Sequence, residues 1–327
     1  MQPPLEDRLR RWLDPQARTL YIPNPGNAGD AAIASATMQM LRRTGVPLAC
    51  GTAPDIASGM DVIIGGGGNL VPDYNDVREL LRACVARSVR RCLLLSHTVR
   101  GHADVLAQLD GRFLLWCRDR ESLAHVKQQA PRAQAELVPD MVLVLDIPEL
   151  ARRTASRAHR LALLRDGRWL RRLPRWRLAL ARIRPGADGT LHILRYDVES
   201  ADLAQARPGH DLMRHHGIRG YGAAADQITM DVVRCIDRAQ RVVTDRLHVS
   251  LIAALLGKPV CLVENSYGKL SAVWEVAQQA WSREARTRPE QQQEEKRHGP
   301  DGSGGDLAHA RSGAPGRRGP GARAAGH

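Results

Sequence analysis

Aromatic residues are scarce in this sequence, with one phenylalanine, five tyrosines and six tryptophans among 327 residues. That scarcity, together with arginines spread along the whole chain and no recognisable nucleic-acid motif, argues against a nucleic-acid-binding module despite a net charge of +13. Lysine is rarer still: Lys127, Lys258, Lys269 and Lys296 are the only four, so arginine carries the positive charge. Such a charge attracts polyanions, and an arginine-for-lysine bias follows equally well from genome composition. The six cysteines form no C-x-x-C pair and stand in apolar contexts, which predicts buried, reduced thiols. No apolar run approaches the length of a membrane span, and the start Met1-Gln-Pro-Pro-Leu-Glu-Asp7 has no basic segment leading into an apolar one. The expectation is a cytoplasmic enzyme.

What is present is alternation. Short apolar runs at Thr19–Ile22, Asp61–Ile64, Cys92–Leu95, Phe113–Trp116 and Met141–Val144 read as strands, and helical spacing over Asp30–Arg43 and Val77–Val89 reads as crossover helices. This pattern predicts an α/β fold with a parallel sheet over residues 1–150. Residues 151–188 differ: arginines interleave with Leu161, Leu164, Trp169, Leu170, Trp176 and Leu178, and Pro174 interrupts them. Two short basic amphipathic helices fit this composition, either as an ordinary connector packed by its apolar side or as a peripheral contact with an anionic membrane. A second α/β unit is expected over 189–282, beginning with a strand at Leu191–Tyr196 and including a helix over Ala224–Ala239. From Arg283 the Gly, Pro, Ala, Arg and Gln composition predicts a disordered tail over 283–327.

Polar residues cluster where strands end. Asn24-Pro-Gly-Asn27-Ala-Gly29-Asp30 follows the first strand, where α/β proteins place ligands, and a tight turn is its alternative. Gly65-Gly66-Gly67-Gly68-Asn69 follows the Asp61–Ile64 strand and lets backbone N–H groups approach a phosphate or a sugar. It lacks the last glycine of a dinucleotide fingerprint, and Gly257-Lys-Pro259 lacks the hydroxyl residue of a Walker loop. His97 at the next strand end is a cleft candidate. No carboxylate or cysteine stands at ligand spacing from His97 and His102, so no metal is expected. Arg118-Asp-Arg-Glu-Ser122 opens a helix, and Asp140 is a turn residue or a cleft carboxylate. Arg195 is a charge in a core strand, pointing to an anion or pairing with Asp197 or Glu199. Lys269 meets a phosphate or water.

The densest signal is Arg241-Val-Val-Thr244-Asp-Arg246-Leu247-His248, running into the apolar Leu251–Leu256 and Gly257-Lys-Pro259. A strand ends at Val243, Asp245 suits a helix N-cap, and Arg246, Leu247 and His248 fill the first turn. Free backbone N–H groups and a positive dipole favour an anion there, beside a histidine able to donate a proton.

Asn27-Ala-Gly29-Asp30, Gly65–Gly68, Arg118 with Ser122, and T-x-R-x-H followed by an apolar helix and G-x-P together resemble the polysaccharide pyruvyl transferase family, from about Tyr21 to Trp274. The resemblance implies two Rossmann-like domains similar to the GT-B glycosyltransferases. It also implies transfer of a pyruvyl group from phosphoenolpyruvate to a sugar of an exopolysaccharide or cell-surface glycan precursor, as a ketal and without a cofactor. The acceptor is free or lipid-linked. On this reading His248 is the acid and Arg246, Leu247, Arg195 and Lys269 bind the donor. Asn27, Gly29, Asp30, Gly66, Gly67, Asn69, His97, Arg118, Ser122 and Asp140 line the cleft or brace it. A nucleotide-sugar glycosyltransferase and a non-catalytic polyanion binder are the alternatives.

Overall fold

A computed structural model describes residues 4–195, 222–263 and 270–280. The first sheet is built from β1 (Thr19–Ile22), β2 (Ala49–Cys50), β3 (Asp61–Ile64), β4 (Gly67–Leu70), β5 (Arg91–Val99), β6 (Phe113–Cys117) and β7 (Gln134–Leu137). Its order is β2-β1-β3-β5-β6-β7, with β4 pairing β5 beyond the end of β3, and every pairing is parallel. Strands covered on both faces read as continuous apolar runs, which is why β1 and β3 are buried at all four positions. Alternate side chains serve opposite faces: Leu20 and Ile22 join one core with Val62, Ile64 and Leu115, whereas Tyr21, Ile63 and Leu93 join the other.

Helix α1 (Leu5–Trp12) precedes the sheet, and the crossovers are α2 (Ala28–Thr44), α3 (Asp76–Ala86), α4 (Ala103–Leu106) and α5 (Arg120–Gln129). α2 is almost wholly buried and ends on Gly45 in the left-handed conformation. It lies against α9 (Ala223–Asp237), with Ser35 Oγ and Thr229 Oγ1 3.2 Å apart. α9 and the second sheet, ordered β10-β9-β8, share its core. The strands β8 (Thr190–Ile193), β9 (Arg241–Thr244) and β10 (Val260–Leu262) are again parallel, and α10 (Leu247–Leu255) connects β9 to β10. Residues 270–280 are helical. None of the described helices is long and apolar enough to cross a membrane.

Cys261 is exposed and Cys50 half-buried, so not every thiol is buried, and β8 stops at Ile193, which leaves Arg195 beyond the strand. Three further expectations need correction. Met141–Val144 is a buried 3-10 turn, because Asp140 Oδ1 accepts from the Val142 amide at 2.9 Å and closes the chain before it can extend; the edge strand is the more polar β7. The basic segment forms three helices, α6 (Ile147–Ala155), α7 (Arg157–Arg165) and α8 (Gly167–Arg182), and Pro174 lies inside α8 without ending it. Ser156 and Asp166 cap α7 and α8 through the amides of His159, Arg168 and Trp169. Asp245 is not the N-cap of α10; Arg246 holds that position. Lys269, the partners suggested for Arg195 at Asp197 and Glu199, and the tail from Arg283 lie outside the described residues.

α8 is anchored by Trp176, which is fully buried and donates from Nε1 to Asp231 Oδ2 at 2.9 Å. Trp176→Ala is expected to destabilise the protein by about 3–5 kcal/mol through the cavity it leaves. A urea unfolding midpoint unchanged from the wild type would show that α8 is not held by this face.

Candidate active site

In the first sheet the order β2-β1-β3-β5 sends the chain after β1 to one side and the chain after β3 to the other, which opens a crevice between their carboxyl ends, where ligands bind in such folds. Gly65 N donates to Ile22 O at 2.8 Å and fixes the two loops side by side. The first loop starts α2 with a reciprocal cap: Asn27 Oδ1 accepts from Gly29 N and Asp30 Oδ2 from Asn27 N, both at 2.7 Å. The helix therefore begins at the crevice with its amide ends held in place.

His248 arrives from the other sheet, at the second position of α10. Its ring lies against the α-carbon of Gly29, where any added side chain would occupy the space of Nδ1. Its Nε2 is buried, makes no hydrogen bond, and stands 3.6 Å from Asp140 Oδ2. That oxygen already accepts from Arg118 Nη1 at 2.8 Å, and Arg118 Nε donates to Thr98 Oγ1 at 2.8 Å. Asp140 being ionised, the tautomer with its proton on Nε2 is the favoured one.

Burial pushes the Asp140 carboxyl up, but His248, Arg118 and the Val142 amide outweigh it and hold the group well below the usual carboxylate range. Asp30 goes the other way: burial raises it, against the pull of His248, the Asn27 amide and Arg118. One imidazole thus faces two carboxylates of opposite tendency, an arrangement suited to moving a proton. Asp245 is also raised by burial, opposed by the Arg195 amide, which donates to its Oδ1 at 2.8 Å, and by the charges of Arg246 and Arg195. Both arginines therefore stand close to Asp245, at the β8 and β9 ends. Leu247 packs on the core.

The glycine run has a second network. Asn69 and Asn24 exchange amide hydrogen bonds at 2.9 and 3.0 Å, and Asn69 Oδ1 also accepts from His97 Nε2 at 3.0 Å. Asn24 Nδ2 continues to Asp30 Oδ1 at 3.5 Å. A side chain at Gly67 would meet Asn24, and one at Gly68 would meet Arg118 Nη2. Gly66 packs on Ser96 O and Met141. His97 is thus fully buried in a bracing network. Ser122 also braces: it accepts from Val99 N at 2.9 Å and bonds Asp119, the N-cap of α5.

Sequence reasoning did not single out Asn24, Thr98 or Gly68 as part of the site. The signal for Asn24 was its position directly after the β1 end and for Gly68 its place in the glycine run; for Thr98 there was none, because its role exists only through Arg118.

The model of the polysaccharide pyruvyl transferase family matches residues 27–267, a span that contains every residue of this site except Asn24. The chain belongs to that family. The family's general function is that of a transferase in polysaccharide pyruvylation. No curated protein matches the chain. Among solved structures, a functionally uncharacterised protein from Klebsiella pneumoniae subsp. pneumoniae is 21% identical with a TM-score of 0.60, over 84% of this chain and 94% of that one. At that identity it supports the fold alone.

Asp140→Asn is expected to cost about 3–5 kcal/mol at neutral pH, since it leaves Arg118 buried without its counter-charge. Because the Asp140 pKa is lower in the folded than in the unfolded state, its contribution is full above the unfolded value of about 3.9 and fades as pH falls below it. The difference between wild type and variant should therefore be constant from pH 5 to 7 and shrink on acidification. A gap that instead widened toward low pH would contradict an ionised Asp140.

Proposed function

We propose that this transferase moves the pyruvyl group of phosphoenolpyruvate onto two hydroxyls of one sugar, as a ketal, in an exopolysaccharide or cell-surface glycan precursor. What carries the reading is the placement of His248 over Gly29, beside Asp140 and within electrostatic reach of Asp30, two residues after Arg246, in a chain of this family.

Phosphoenolpyruvate has a carboxylate, a phosphate and a nucleophilic methylene. The N-terminal amides of α10 with Arg246 and Arg195 suit its anionic groups. His248 would protonate the methylene carbon, making it a methyl and leaving the neighbouring carbon electrophilic. The first sugar hydroxyl attacks there and its proton restores the imidazole. The C–O bond to phosphate then breaks and the second hydroxyl closes the ring, its proton leaving with the phosphate. No redox partner is required. Asp140, through its position beside Nε2, would set the tautomer of His248. Asp30, whose carboxyl is raised by burial, could exchange a proton with the ring. In this reading the two parallel sheets correspond to the halves of a GT-B-like arrangement, with 189–282 carrying the donor site.

Phosphoenolpyruvate should bind the isolated protein and stabilise it by about 2.7 kcal/mol at a hundredfold excess over Kd. Arg246→Ala should weaken that binding by roughly ten- to a hundredfold, a charged hydrogen bond being worth about 1.5–3 kcal/mol. His248→Gln should keep donor binding and lose turnover by about a hundredfold to ten-thousandfold, followed as phosphate release with a sugar acceptor. Near-normal turnover in His248→Gln would end the assignment. A thermal shift with nucleotide sugars and none with phosphoenolpyruvate would favour a glycosyltransferase.

A further inference from the structure

We propose that α7 and α8 form a face that docks on an anionic lipid surface. Five large hydrophobic side chains are strongly exposed among the described residues. Four of them lie here: Leu161 at 43%, Leu164 at 65%, Leu170 at 41% and Leu178 at 54%. The fifth, Tyr74, is far away in sequence. From Arg157 to Arg184 the chain carries ten arginines and a single acid, Asp166, whose carboxylate is engaged by the amides of Arg168 and Trp169.

The distribution around each helix is what gives this face its character. α8 turns Trp169, Trp176 and Ala179 inward. Leu170, Pro174 and Leu178, spaced four apart, then form one row on the outer side. By helical spacing, Arg177 runs along one flank of that row and Arg171, Arg175 and Arg182 along the other. On α7, His159 is buried, and Leu161 and Leu164 share the outer face with Arg157, Arg160 and Arg165. Pro174 cannot donate to the Leu170 carbonyl, and its exposed ring continues the apolar row.

An apolar row bordered by arginines matches the boundary between acyl chains and anionic headgroups, where leucines enter and arginine stems reach back to phosphates. A nucleic acid would use the arginines and leave the leucines wet. A second copy of this chain would bury the leucines and bring two arginine rows against each other. The lipid surface is the occupant that uses both. The inference draws nothing from the chemistry at His248, so either can fail alone.

The test is co-sedimentation of the full chain with phosphatidylcholine vesicles, with and without phosphatidylglycerol, at low and high salt. Binding is expected with the anionic vesicles only, weakened by salt. Leu164→Ser with Leu178→Ser, and separately Arg171→Ser with Arg175→Ser, should each weaken it about tenfold or more while the melting temperature stays that of the wild type. All four positions are exposed, so both variants should fold, and either one alone decides the question. The proposal is overturned by failure to sediment with anionic vesicles at low salt, or by equal binding to neutral ones. It is overturned equally by wild-type binding in the leucine variant, which would mean charge alone, and by a dimer in solution that the leucine variant dissolves while vesicles go unbound.

Discussion

Asp140 has no side-chain surface open to water, yet it is held in its charged form, and both sides of the site depend on it. Moving a carboxylate out of water costs several kcal/mol even after relaxation, and that cost is offset only where charges and donors converge on it. Here Arg118 reaches it from the end of β6, the Val142 amide from the 3-10 turn, and His248 from the first turn of α10. Three segments distant in sequence are thus fixed relative to one another by one buried group. Replacing it with an apolar side chain would leave a buried guanidinium and a loosely held imidazole, so its position is one that stability and chemistry share.

The parallel sheets explain why these groups meet at all. A parallel strand delivers the chain to the same edge each time, so the loops after β1, β3, β5 and β6 and the turn after β7 all open on one rim. α2, packed between the first sheet and α9, carries its capped N-terminus to that rim. His248 needs only the second sheet to present α10 from the other side. The burial of α2 on nearly all faces is the mechanical link that lets a residue of one sheet lie against the helix start of the other with a tolerance smaller than a methyl group.

Much of this was legible from residue order. β1 and β3 coincide with their apolar runs, and the α/β class follows from the alternation of strands and helices. Met141–Val144 was not legible as a turn, since four apolar residues read alike in a buried strand and in a buried 3-10 turn; the deciding feature was the carboxylate before them. Asp245 misled for the complementary reason. A capping residue was expected at the helix start, but its carboxylate is held by the Arg195 amide, two residues beyond the end of β8, a contact that spacing along the chain cannot reveal. Pro174 breaks an isolated helix, yet Trp169 and Trp176 bury α8 on either side of it and tertiary packing prevails.

The motifs by which the sequence resembles its family are short and individually weak, and the structure gives a physical reason why they belong together. Gly29 is constrained by His248, Gly67 by Asn24, and Gly68 by Arg118; Arg118 in turn binds Asp140, which stands beside His248. Each motif therefore supplies the space or the counter-charge that another requires. A glycine run or a buried arginine alone occurs in many α/β proteins, with no need of partners. When all of them appear in one chain, each in the order the strands demand, they close into a single contact circuit around the imidazole, and a substitution in one motif is felt as a steric or electrostatic fault in the next.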